Sequence, residues 1–375
     1  MVKMNRAWYQ NNYEYRLSNR YISAAMIDAI VKSSSPSLDY TIAGYSVQQK
    51  PIYTITVGRG NFKILMWSQM HGNEATTTKA LFDFLKSATS KNMPAVVKEV
   101  LDRCTLCIIP QLNPDGATAY TRHNANNIDL NRDAAANTQP EMQILHRVID
   151  SFAPHFCFNL HGQRTIYGFT KTQTSSSLSF LAPAADEART ITLSRKRAMT
   201  VITEIYNTLK EELPNGIGRY DDTFNINCIG DYLMHAGIPT VLYEAGHIAE
   251  DYTREEIRYA VFKALIAGMI AAPKCKDDLS KAYLAIAEHE KCFVDIVIAN
   301  TQDGSIAIQY EERLEQGQIV FIPVVLDISS DITRIGHRQI DGLHKKYTHF
   351  DHTDIKRGDV VSVLKADDGS TITLS

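Results

Sequence analysis

Five nearly unbroken apolar runs, PIYTITVG, FKILMWSQM, CTLCIIPQL, FCFNL and TVLYEAG, are spread through the first two thirds of this 375-residue chain. Strands that read this way are buried on both faces, so helices must cover the sheet above and below. The intervening segments supply them. SAAMIDAIVKS, EATTTKALFDFLKSA, EMQILHRVIDSF, RKRAMTVITEIYNTLKEEL and REEIRYAVFKALIAGMIAA place their apolar residues at helical spacing. SSSPS breaks the first of these. The expectation is an α/β layer fold with a largely buried sheet.

Near residue 275 the pattern changes. KCKDDLSKAYLAIAEHEK reads as a linker plus a helix. Beyond it only strand-like runs remain: CFVDIVIA, SIAIQYEE, QIVFIPVVL, DVVSVL and STITLS. Asp303-Gly304 and Asp368-Gly369 are turn formers between some of them. The chain therefore divides into residues 1–275 and a small all-β unit, residues 276–375.

Apolar residues make up 44% and charged residues 22%, with a formal net charge of -3. That balance gives nucleic acid or an anionic membrane no electrostatic footing. No window approaches the ~18 apolar residues of a membrane span. The opening MVKMNRAWYQNNYEYRLSNRY lacks the apolar core of an export signal. The six cysteines are scattered, mostly in apolar runs, as reduced core cysteines are. Cys104 and Cys107 form a C-x-x-C inside a strand, where positions three apart face opposite ways, so it reads as structural. The expected location is cytoplasmic.

Polar residues with chemistry interrupt the apolar runs at their carboxyl ends, where open α/β sheets place their sites. His71 and Glu74 stand in MHGNEATTT, between a strand and a helix. Three apart on a helix-opening turn, they can face one point as zinc ligands. Read alone, the same pair is also an ordinary helix start, with Glu74 complementing the dipole. His161 ends FCFNLHG and would complete a His/Glu/His set. Between them lies NPDGATAYTRHNANNIDLNRD. It reads as a solvated loop, or as a source of fixed donors in Arg122, Asn131 and Arg132. Facing nothing, such donors are expensive to bury, which points to a substrate carboxylate as their partner. Glu244 closes TVLYEAG, and a carboxylate there is either paired or a general base.

In order, these pieces read H-x-x-E, N-P-D-G, R-x-N-A-x-x-x-D-L-N-R, N-L-H-G and a strand ending in Glu. That order resembles the zinc carboxypeptidases of the carboxypeptidase A superfamily over roughly residues 10–272. The resemblance implies a mixed central sheet flanked by helices and one zinc per chain, held by His71, Glu74 and His161. It implies Glu244 as the base that activates water at the metal. It also implies Arg122 as the clamp on the scissile carbonyl, and Asn131 and Arg132 as the anchor of a terminal carboxylate. The family's mobile tyrosine has its nearest candidate here in Tyr220, in GRYDDTFN. The expected activity is removal of a C-terminal residue from a peptide. The alternative is a related zinc amidase or deacylase acting on an acylated amino acid or a γ-glutamyl–diaminopimelate bond. A non-catalytic binding protein is the third reading, and the complete set of ligands, clamp and base argues against it. Specificity is open: the stretch Phe224 to Asp231 should line the pocket, with Asp231 favouring a basic residue or capping a helix, and Arg164 favouring an acidic one. His344, His349 and His352 in HKKYTHFDHTDIK read as a solvated run rather than a second metal site.

Overall fold

In the computed structural model, which describes residues 5–34, 38–275 and 278–374, all five apolar runs become strands of one sheet. Its eight strands are β1 (Asp39–Tyr45), β2 (Pro51–Gly58), β3 (Phe62–Ser68), β4 (Cys104–Ile109), β5 (Phe156–Gly162), β6 (Leu178–Leu181), β7 (Ile217–Arg219) and β8 (Thr240–Ala245). Their spatial order is β1-β2-β4-β3-β5-β8-β6-β7. The central strands β4, β3, β5 and β8 run parallel. The pair β1–β2 joins one side antiparallel, and β6 joins the other side antiparallel. The sheet is therefore mixed.

Side-chain alternation explains why the central strands read as all apolar. In β3, Ile64 and Met66 enter one core, while Leu65 and Trp67 enter the core on the opposite face. Cys104 and Cys107 divide the same way between the two cores, and neither is in a disulfide. Each fully buried aliphatic or aromatic side chain contributes about 1.5–3 kcal/mol relative to exposure. Helices α1 (Thr76–Ala88), α2 (Leu193–Leu209) and α3 (Glu255–Ala271) cover the first face, and the helix Pro140–Phe152 lies on the second. Every residue of α3 from Ile257 to Met269 is buried. A helix apolar nearly all round belongs inside a protein. Its buried Arg258 is matched by an ion pair to Asp83 of α1 at 2.6 Å.

The C-terminal unit has a core of its own around Ile296, Ile298, Ile308, Val325 and Leu364. Strands β9 (Phe293–Thr301), β10 (Gly304–Glu315), β11 (Gln318–Ser329) and β12 (Ile335–Asp341) form a sheet in the order β11-β10-β9-β12. Gly304 opens β10 with a φ of 106°, which only glycine adopts without strain. Three short strands, β13 (Tyr347–Thr348), β14 (Val363–Ala366) and β15 (Thr371–Thr373), complete the unit.

Two expectations are adjusted. The DVVSVL run is a strand only from Val363. The helix expected within 274–291 shrinks to Ser280–Leu284. Tyr283 of that helix and Ile286 after it are buried in the main core of the larger unit, and Glu290 pairs with Gly168.

Candidate metal centre

The carboxyl ends of β3, β5 and β8 meet at one edge of the sheet. Parallel register sets Glu244 of β8 beside His161 of β5. After β3 the chain turns sharply, with Gln69 at a φ of 52° and the Glu74 amide donating to the His71 carbonyl at 3.1 Å. Gly72 is required inside that turn, because a Cβ there would lie 2.0 Å from the backbone of Gly116. Asn113 braces the same point: its side chain accepts from the Gly116 amide at 2.8 Å and donates to the Met70 carbonyl at 3.2 Å. The N-P-D-G motif thus shapes the turn that carries His71 and Glu74.

His71, Glu74 and His161 come together with ligating atoms all within 4.8 Å of one another, the one such cluster among the described residues. Nδ1 of His71 lies 2.8 Å from Glu74 Oε1. Nδ1 of His161 lies 3.0 Å from Glu74 Oε2 and 3.1 Å from His71 Nδ1. Two ring nitrogens facing each other across a carboxylate make a donor set suited to zinc, which takes imidazole and carboxylate ligands. On the far side of the ring, His71 Nε2 is 3.0 Å from Asp129 Oδ1. With its proton on Nε2, His71 keeps its Nδ1 lone pair for a metal, the outer-shell arrangement usual for ligating histidines. The residues fit the ion.

Electrostatics follow from the packing. Burial alone would raise the Glu74 carboxyl, but the charge and hydrogen bonds of His71 and His161 hold it far below the usual range. Glu244 goes the other way. Burial, reinforced by the negative charge of Glu74, lifts it well above an ordinary glutamate. Its Oε2 has no partner among the described residues.

The eight residues to which the resemblance gives roles line a single cavity of about 500 Å³, and so does Arg164. Arg122 is held by two bonds to Asp129 Oδ2, at 3.1 and 3.0 Å, and its Nη1 lies 3.5 Å from Glu74. Asn131 accepts from the Ile229 amide at 3.2 Å, which leaves its amide nitrogen as the donor toward the cavity. Arg132 Nη1 donates to the Asn131 carbonyl at 2.7 Å. Contrary to the expectation from the sequence, neither guanidinium is buried: Arg132 is exposed and Arg122 is 42% exposed. Tyr220 faces Tyr167, hydroxyl to hydroxyl at 3.0 Å. Phe224, Asn225, Cys228, Gly230 and Asp231 line the same cavity. Asp231 is buried in the first turn of the helix Ile229–His235, accepts from the Ala184 amide at 3.1 Å, and is pushed up to about 7 by burial. His349 pairs with Asp359 at 2.8 Å and His344 is exposed, as a surface run requires.

The sequence reading missed Asp129. It stands as the D of D-L-N-R, so the signal was present, but the motif does not say that this carboxylate joins a zinc ligand to Arg122.

The zinc carboxypeptidase family model, Peptidase_M14, matches residues 24–263. The chain belongs to the zinc carboxypeptidase family. Its fold is similar to the metallo-carboxypeptidase of Burkholderia cenocepacia, with a TM-score of 0.56 at 17% identity over 68% of this chain and 70% of that one. It is also similar to the metallo-carboxypeptidase of Pseudomonas aeruginosa, solved with (2-guanidinoethylmercapto)succinic acid, with a TM-score of 0.54 at 16% identity over 67% and 68% of the two chains. Among curated relatives, the probable carboxypeptidase 2 of Arthroderma benhamiae is 26% identical over 101 residues, 26% of this chain and 19% of the relative. A carboxypeptidase of Arabidopsis thaliana is 29% identical over 126 residues, 31% of this chain and 25% of the relative. The matched stretches thus span a quarter or less of these relatives' lengths. The family model ends before β9, and so leaves the C-terminal β unit unmatched.

Proposed function

We propose that this member of the zinc carboxypeptidase family hydrolyses the last amide bond of a peptide bearing a free α-carboxylate, with one zinc per chain at His71, Glu74 and His161. The observation that carries the reading is the convergence of those three residues beside Glu244. Zinc, when bound, supplies a Lewis acid that polarises a carbonyl and acidifies water.

The protein's own groups account for the rest. Glu244 has a free carboxylate oxygen and stands beside His161 on the neighbouring parallel strand. It takes the proton of the attacking water and returns it to the leaving nitrogen, the usual double duty of such a base. Arg122 is fixed at Nε and Nη2 by Asp129, and so offers Nη1 to the oxygen of the scissile carbonyl. Arg132 and the Asn131 amide hold the terminal carboxylate. Tyr220 keeps its proton, since burial and the charge of Glu244 raise it, and it therefore serves as a donor.

The test is a panel of N-acyl dipeptides offered as free acids and as C-terminal amides to the zinc-supplemented protein. The reading expects release of the last amino acid from the free acids and poor turnover of the amides. Equal cleavage of both would replace the carboxypeptidase with an endo-acting or deacylating enzyme.

A further inference from the structure

A second cavity, of about 650 Å³, adjoins the metal centre. It shares Glu74, Arg122, Gly162, Gln163 and Arg164 with the first cavity, but none of Asn131, Arg132, Tyr220 or Asp231. Its opposite wall is the C-terminal β unit, through residues of β10 and β11 such as Gln309, Arg313, Val324 and Leu326. On the reading proposed above, the terminal carboxylate lies at Asn131 and Arg132 and the scissile carbonyl at the metal ligands. The part of the substrate on the acyl side of that bond is then directed away from the first cavity and into the second.

Arg164 stands where the two cavities meet. It is exposed and has no hydrogen-bond or ion-pair partner among the described residues, whereas the other arginines of the second cavity are engaged. Arg20 pairs with Glu312 at 2.5 Å, Arg313 with Glu311 at 3.0 Å, and Arg254 is spent on the carbonyls of Gln163, Ala245 and Gly246. Yet Arg164 is not on a loose loop. Gln163 before it is buried and donates to Ser176 Oγ at 2.9 Å. Thr165 after it is buried and tied to the β unit twice: its hydroxyl accepts from Gln309 at 2.9 Å and its carbonyl contacts His337 Nε2 at 2.7 Å. A guanidinium left free on a backbone pinned from both units is preorganised for an anionic ligand, and guanidinium matches carboxylate geometry.

We infer that the C-terminal β unit is the far wall of the substrate cleft, and that Arg164 selects substrates carrying a carboxylate on the acyl side of the scissile bond, as in an aspartyl or glutamyl residue. A charge-assisted bond at a solvent-facing site gives roughly 10-fold discrimination.

The experiment uses the full, zinc-supplemented chain and matched N-acetyl-Glu-X and N-acetyl-Gln-X free acids, where X is the terminal residue released fastest in the panel. The expected kcat/KM ratio is roughly 10 in favour of the glutamyl substrate, carried by KM. Arg164→Ala brings that ratio close to one, and Arg164→Lys restores part of it. Leu326→Trp, at a β-unit position that lines only the second cavity, raises KM for N-acetyl-Glu-X roughly 10-fold by filling space. Cleavage of both substrates at equal efficiency, or an Arg164→Ala ratio matching the wild type, overturns the specificity. A folded Leu326→Trp protein with wild-type KM removes the β unit from the cleft. If neither substrate is cleaved at all, the carboxypeptidase reading fails instead, so the two failures are distinct.

Discussion

Removing the Asp129 carboxylate should weaken metal binding, although Asp129 touches no metal. His71 is buried, and its ring is fixed on one side by Asp129 Oδ1 at 3.0 Å. Burial would raise the Asp129 carboxyl, but bonds from His71 and Arg122 hold it far below its ordinary range. Outer-shell partners of this kind are worth about 10- to 100-fold in metal affinity, or about 1.4–2.7 kcal/mol. The side chain of Asp129 is only 17% exposed, so solvent screens the His71 contact little and the upper half of that range is expected for Asp129→Ala. Its bonds to the half-exposed Arg122 add little to binding. Asp129→Asn keeps an acceptor for the His71 proton while losing the charge, and should fall between Ala and wild type. Competition with a fluorescent chelator at fixed pH measures the three zinc affinities. An Asp129→Ala protein that holds zinc within twofold of the wild type would refute the coupling of Asp129 to the metal through His71.

Glu244→Gln should keep its zinc, checked by elemental analysis, and lose ~10²–10⁴-fold in kcat, the usual worth of general base work. Retention of near-full turnover would move the role to another residue. Arg132→Ala should lower kcat/KM on free-acid substrates by about 30-fold, a charge-assisted bond of about 2 kcal/mol at an exposed position. No change would take the carboxylate anchor away from Arg132. Asp231 gives a pH prediction in stability. Its folded pKa of about 7 lies above the unfolded value, so the folded state binds the extra proton and this group's contribution is lost as pH rises through about 4 to 7. Asp231→Asn should therefore be more stable than the wild type at pH 8 and not at pH 4 in thermal denaturation, and an equal difference at both would contradict the buried, uncharged carboxyl.

The parts of this molecule that were legible in the sequence are those where one local pattern has one structural meaning. PIYTITVG and TVLYEAG become strands almost to the residue because their alternating apolar side chains pack into the cores flanking the sheet. His71, Glu74, His161 and Glu244 were legible because polar residues at the ends of such strands have few other reasons to be there. The strand Ile335–Asp341 was not, because its residues IGHRQID are held by parallel pairing with β9, a contact made about forty positions away. Asp129 was hidden for the same reason: its partner His71 is 58 positions distant. The second cavity exists only once the β unit docks on Thr165 and Tyr252, through Gln309, His337 and Asp295. No periodicity in either segment encodes that meeting.

The most direct test of the zinc carboxypeptidase reading is a single time course on one N-acyl dipeptide, in the free-acid and amidated forms, with metal-stripped protein and after zinc is restored stoichiometrically. The expected result is no release by the stripped protein, release of the terminal amino acid from the free acid once about one zinc per chain is bound, and little from the amide. Release that is independent of zinc, or equal from the acid and the amide, would contradict it.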